Sequence, residues 1–184
     1  MNGSSFDFIV VGAGSAGCAV AAGLVEARLG TVCALEAGCS DKSPLVKTPF
    51  MLMFMMGSRK WDWRRSTTPQ AELGGRVVGV PRGRMIGGSG SINSMVWFRS
   101  RMDDFDSWGV EGWSSADVAS AYDEIEPRMM LQRLPHPHPL SECFARAIGG
   151  DGQAPLTPEW ESAGVFQVNM RGSSRWSPAD AFLR

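Results

Sequence analysis

Residues 8–17 read FIVVGAGSAG, and this stretch decides the fold. Phe8, Ile9, Val10 and Val11 form an apolar run of strand-forming residues, and Gly12, Gly14 and Gly17 follow at GxGxxG spacing. From Ala16 to Arg28 the pattern is helical and apolar almost all round (Ala19, Val20, Ala21, Ala22, Leu24, Val25). That predicts a buried helix, with Gly30 suited to its C-terminal cap. Thr31 to Leu35 reads as a second apolar strand, ended by Glu36. Strand, turn, helix and strand in this order give a glycine triplet its meaning. Gly12 permits the tight turn, Gly14 lets a pyrophosphate approach the backbone, and Gly17 lets helix and strand pack closely. The N-terminus of this helix, with its first N–H groups and partial positive charge, would face the phosphates. Glu36 stands about 20 residues beyond the glycines, where an acid is expected to accept ribose hydroxyls.

The chain after Glu36 bears on which dinucleotide is bound. A nicotinamide domain would continue with further strand–helix units. Here a polar turn (Cys39 to Pro44) leads into TPFMLMFMMGSRKWDWRR, residues 48–65, which has no such rhythm. A βαβ unit followed by a long excursion favours FAD over NAD. A second glycine stretch, RGRMIGGSGSINSM at residues 82–95, sits between apolar residues (Met85 and Ile86 before; Ile92, Met95 and Val96 after). It is therefore a loop held in place, with small residues that leave room for a flat group. Its backbone N–H groups suit phosphate or flavin oxygens.

Arg84, Ile86, Gly87, Gly88, Ser89, Ile92, Asn93 and Trp97 resemble the first signature of the glucose–methanol–choline (GMC) oxidoreductases. VVGAGSAG with LEAG at 35–38 is similar to that family's ADP-binding start, and WDWRRSTTPQ at 61–70 to the stretch between the two motifs. DDFDSW (103–108), GWS (112–114) and RGSSRWSPADAFL (171–183) are similar to later family segments. The resemblance implies a Rossmann-like α/β FAD-binding βαβ unit with an interrupted and incomplete sheet. It implies that Gly12, Gly14, Ser15 and Gly17 meet the pyrophosphate and Glu36 the adenosine ribose. Gly87, Gly88 and Ser89 approach phosphate and flavin, and Asn93, Met95 and Val96 line the isoalloxazine. Some members carry a histidine, bonded covalently to the flavin, where this chain has Ile92, so the FAD is expected to be non-covalent. Gly90, Ser94 and Ser100 also depart from the usual pattern.

The family's enzymes are much longer than 184 residues, and the chain resembles their N-terminal part. Residues 1–126 are expected to form the FAD-binding region. Residues 127–184 are expected to be an irregular connection and the start of a further segment. In the longer relative the resemblance implies oxidation of a small alcohol to an aldehyde or ketone, with a catalytic histidine beyond this stretch. No catalytic residue is assigned here, and no alcohol oxidation is expected of these residues alone.

Composition and motifs exclude several other classes. A formal net charge of −1 argues against nucleic acid. PFMLMFMMG at 49–57 is too short to span a bilayer, and no secretory signal is evident, so membrane contact is not expected and a cytoplasmic location is. Cys18, Cys33, Cys39 and Cys143 have no metal spacing and read as free thiols. His136 and His138, in LPHPHPL, lack a carboxylate cluster, so no metal site is expected. Ser114 and Asp117 form a capping box for a helix ended by Pro127, and a shorter helix is expected around Ser141 to Ile148. Met51, Met53, Met55 and Met56 read as gap-filling rather than ligand-lining. A nicotinamide-dependent dehydrogenase piece, a non-catalytic nucleotide-binding module and a non-functional truncation product stay open as alternatives.

Overall fold

A computed structural model describes residues 5–134, 136–147 and 165–184. In chain order the elements are β1 (Phe8–Val11), α1 (Ser15–Glu26), β2 (Val32–Leu35), α2 (Pro44–Lys47), α3 (Leu52–Met55), β3 (Arg65–Ser66), β4 (Gly79–Val80) and β5 (Val96–Trp97). They continue with α4 (Met102–Ser107), α5 (Ser115–Ile125), β6 (Leu131–Arg133), α6 (Pro139–Ala147), β7 (Gln167–Arg171), β8 (Ser174–Arg175) and α7 (Pro178–Phe182). The chain folds as two compact units. One joins Met1–Ser94 with Ser173–Arg184, and the other is Met95–Gly172. The boundary expected after residue 126 falls inside the second unit, just past α5.

In the first unit β1 and β2 pair in parallel, from Phe8 opposite Val32 to Val11 opposite Leu35. Parallel neighbours need a long crossover, and α1 supplies it. The burial expected for α1 is only half met. Cys18, Ala21 and Ala22 are buried, but Val20 and Val25 are 53% and 57% exposed. Apolar sequence makes burial favourable without supplying a neighbour, and among the described residues α1 is covered on one flank only. Gly30 is not the helix cap. Arg28 takes the left-handed turn (φ 53°), and Leu29 N–H closes back onto Leu24 O at 3.2 Å. Gly30 instead makes room for Asp7, since a Cβ there would lie 2.7 Å from Oδ2, which accepts from Thr31 N–H at 2.7 Å.

Past β2 the sheet stops, as expected, and irregular chain takes over. β3 and β4 form a small antiparallel pair, Arg65 opposite Val80. Val46, Met55, Met85 and Ile92 make the core here, with Cys39, Leu52 and Trp61 against it. The methionine run therefore divides: Met55 fills the core, while Met53 and Met56 are exposed.

The second unit is an antiparallel sheet in the order β5–β7–β6, with Val96 opposite Val168 and Leu131 opposite Asn169. Strand β6 lies in the stretch expected to be irregular, while residues 148–158 of that stretch are outside the described residues. The capping box of α5 is present: Ser114 Oγ accepts from Asp117 N–H at 3.2 Å, and Asp117 Oδ2 accepts from Ser114 N–H at 3.0 Å. Arg99 is held on both oxygens of Glu126, through Nε at 3.0 Å and Nη2 at 2.6 Å. His138 starts α6, its Nδ1 accepting from Leu140 N–H at 3.2 Å. Among the described residues no His, Cys, Asp and Glu cluster suits a metal ion.

A buried ionic cluster fastens α7 within the first unit. Asp41 is fully buried and pairs with Lys47 at 3.3 Å and with Arg184, and Lys47 and Arg184 also reach Asp180. Burial works to raise both carboxyls, but hydrogen bonds and the neighbouring cations outweigh it and hold both below the usual carboxylate range. A lowered folded-state pKa gives stability that is complete above the unfolded value, about 3.9, and lost as pH falls through the folded value. The melting temperature of the chain should therefore fall as pH is lowered beneath about 4. Asp41→Asn should melt lower at neutral pH and show a flatter acid limb by circular dichroism.

Candidate functional site

The C-terminal ends of β1 and β2 open onto a groove of about 620 Å³, lined by Val11, Gly12, Gly14, Leu35, Glu36, Ala37, Trp63, Gly83 and Gly88. That volume lies within the range of small-molecule and cofactor sites. Four residues expected at the ligand (Gly12, Gly14, Glu36 and Gly88) thus share one wall system. The two glycine motifs touch directly. Gly87 N–H donates to Ala13 O at 2.7 Å, and Ser15 Oγ lies 3.5 Å from Gly87 O.

The glycines have different jobs. A Cβ on Gly17 would sit 1.9 Å from Gly12 O, so Gly17 is a packing residue under the turn. Gly14 has φ −74° and would place a Cβ no nearer than 4.0 Å to any neighbour, the nearest being Gly88 Cα. Nothing in the protein itself requires a glycine there, and the space a side chain would fill is groove. Gly14 is also the N-cap of α1 with no side-chain cap, so the first-turn N–H groups have no partner within the helix. Room at Gly14, first-turn N–H groups with no intrahelical acceptor and the positive end of the helix dipole fit a pyrophosphate.

Glu36 braces this wall. Its Oε2 accepts from Ala13 N–H at 2.9 Å and its Oε1 from Gly38 N–H at 2.7 Å. Each carboxylate oxygen keeps acceptor capacity for a ribose hydroxyl. In the second motif Ser89 Oγ accepts from Gly83 N–H at 3.1 Å, and Ser91 Oγ donates to Ile86 O at 3.0 Å. Asn93 is exposed and accepts from Arg175 Nη1 at 2.7 Å. Met95 and Val96 belong to the second unit. Met95 is buried there with Val168 and Met170, and Val96 is exposed in β5.

Sequence reasoning missed Trp63 as a groove residue. Buried Asp62 fixes its loop, accepting from Gly57 N–H at 2.8 Å and from Arg64 and Arg82 N–H, both at 2.9 Å. Arg84 Cζ lies 5.1 Å and Arg65 Cζ 5.6 Å from the Trp63 ring centre. The signal was the WDW triplet, whose middle acid has no reason to be buried unless the loop is held. Arg84 Nε is buried without a hydrogen-bond partner among the described residues, an orphan donor beside this wall.

Known proteins support the same reading. A family model described as GMC oxidoreductase matches residues 6–184. The oxygen-dependent choline dehydrogenase of Brucella anthropi is 34% identical over 97% of this chain and 36% of its own length. That of Rhizobium johnstonii is 33% identical over the same shares. Among solved structures, a pyridoxine 4-oxidase from Mesorbium loti superposes with a TM-score of 0.76 at 27% identity, over 98% of this chain and 40% of that one. A formate oxidase of Aspergillus oryzae gives a TM-score of 0.75 at 22% identity, which speaks for the fold alone. The chain spans 36% of the length of the curated relatives it matches.

Gly14→Val and Gly17→Ala should separate ligand from fold. Gly14→Val should keep the native melting temperature within a few degrees and lose dinucleotide binding. Gly17→Ala should lower the melting temperature itself. Glu36→Ala removes the acceptor of two charge-assisted hydrogen bonds, each worth about 1.5–3 kcal/mol, so both stability and affinity should fall. Calorimetric melts with titration of each variant check all three.

Proposed function

The chain belongs to the GMC oxidoreductase family, and we propose that it is the FAD-binding part of an enzyme that oxidises the CH–OH group of a small alcohol. The observation that carries this reading is the convergence of both glycine motifs on one groove, with Gly12 and Gly14 from the first and Gly88 from the second. Gly12, Gly14, Ser15 and the start of α1 hold the pyrophosphate, and Glu36 holds the adenosine ribose. Gly87, Gly88 and Ser89 carry the second wall toward the flavin. FAD, when bound, supplies the acceptor for a hydride from the carbinol carbon. The residues of this chain bind and orient that acceptor.

The cofactor is non-covalent in this reading. Ile92, at the position of the flavin-linking histidine in some relatives, is a hydrocarbon with no nucleophile, and it is 4% exposed in the core with Val46, Met55 and Met85. Cytoplasmic residence belongs to the same proposal, supported by four free cysteines. No helix among the described residues is long and apolar enough to cross a membrane.

Reconstitution of the chain with FAD tests the reading. Titration should quench flavin fluorescence to saturation, and acid precipitation should release all the yellow colour into the supernatant. NAD in place of FAD, or no saturable binding, would overturn the cofactor. Colour retained on the pellet would overturn its non-covalent attachment.

A further inference from the structure

Arg175 is the largest fully buried side chain of the first unit, 1% exposed. Its Nε donates to Val46 O at 3.1 Å, and its Nη1 donates to Asn93 Oδ1 at 2.7 Å and approaches Gly90 O at 3.5 Å. Nη2 is buried with no partner among the described residues. A guanidinium out of water is costly unless its donors are used. Here the donors go to two backbone carbonyls and an amide and, among the described residues, to no carboxylate, and burial lowers the group to about 10, still cationic at neutral pH. Packing by itself would be met more cheaply by methionine. The arrangement is that of a group kept for what it holds in place.

What it holds is the rear of the second glycine motif. Gly90 lies against Pro178, so closely that a Cβ would come within 2.5 Å of the ring. Gly87 backs onto Ala179, whose Cβ would be 3.5 Å from one added there. Arginine has donors and no acceptor, so Asn93 turns Oδ1 toward it. We propose that Arg175 is the positioning residue of the second glycine motif, fixing the Gly90 carbonyl and the Asn93 amide from behind so that the opposite face is preset for the flavin half of the cofactor. This rests on the FAD reading above. A loop ordered before the ligand arrives spares the ordering cost at binding.

The test compares FAD with ADP, which lacks the flavin half, as ligands of the full chain. Arg175→Lys keeps a cation but cannot serve three spread acceptors. FAD affinity should fall about tenfold or more, the loss of a charged hydrogen bond, while ADP affinity changes about threefold or less. The visible circular dichroism of bound flavin should change shape. Asn93→Ala, at an exposed position, should give the same FAD-selective loss, and it decides the matter if Arg175→Lys does not fold. Equal losses for FAD and ADP, or no loss in either variant, would overturn the positioning role alone. A native chain that binds ADP but no FAD would overturn the cofactor reading and this proposal with it.

Discussion

The site depends on backbone lying directly on backbone. Gly88, with φ +54°, approaches Gly14 so closely that a Cβ on it would be 2.8 Å from Gly14 Cα. A Cβ on Gly83 would be 2.2 Å from Gly88 O, and one on Gly38 would be 2.2 Å from Arg84 O. These contacts run from the end of β2 through the second motif to the start of α1. Each tolerates no side chain, and the groove beside them is lined by bare backbone at Gly12, Gly14, Gly83 and Gly88 and by the side chains of Val11, Leu35 and Trp63. The N–H groups of Gly12, Ala13, Gly83, Gly87 and Gly88 are bonded within the protein, so the donors that suit a phosphate are those of the first turn of α1, which have no intrahelical acceptor.

The loops that carry these contacts are also fastened by polar groups. Three carboxylates spend their oxygens on this fastening. Glu36 ties the Ala13 turn to Gly38, Asp62 ties Gly57, Arg64 and Arg82, and Asp180 caps Ser177 N–H at 2.8 Å while meeting Lys47 and Arg184. Burial pushes the Asp62 carboxyl up, yet the three backbone donors bring it below its ordinary value. Acids in these positions do the work that leucines do in an apolar core. They fix direction as well as proximity, because each backbone N–H must point at its oxygen.

Local geometry was legible in the sequence. The β1–α1–β2 unit, the Ser114–Asp117 box and the closing role of Pro127 all depend on residues near one another in the chain. The grouping of Gly12, Gly14, Glu36 and Gly88 is long-range, and it was legible only because the resemblance covers both motifs together. What escaped depended on partners distant in sequence. Val20 and Val25 read as buried because their side chains favour it, but burial needs a neighbour that a helical period does not name. Gly30 read as a cap because glycine usually is one there, whereas Arg28 took the left-handed turn and Gly30 answered to Asp7. Arg175 lay unremarked in RGSSRWSPADAFL, since its three acceptors come from Val46, Gly90 and Asn93. Trp63 lay equally unremarked until its loop was seen pinned by Asp62.

Val46, Met55 and Met85 of the first unit are fully buried, whereas the β1–β2 pair leaves apolar side chains exposed. Parallel sheets are ordinarily covered on both faces, yet β1 and β2 are only two strands, and Ile9, Val11 and Leu35 are exposed, Val11 at 84%. Two strands contribute little independent stability. The residues that line the groove are nonetheless the last of β1 and β2 and the first beyond them. A ligand seated there would bridge Gly12, Gly14 and Glu36 to Gly88, crossing the junction that the strand pair alone holds poorly. Its binding energy would then count as folding energy for the strand pair by mass action. On this geometry occupancy of the groove adds to the stability of the βαβ unit in proportion to the logarithm of ligand concentration.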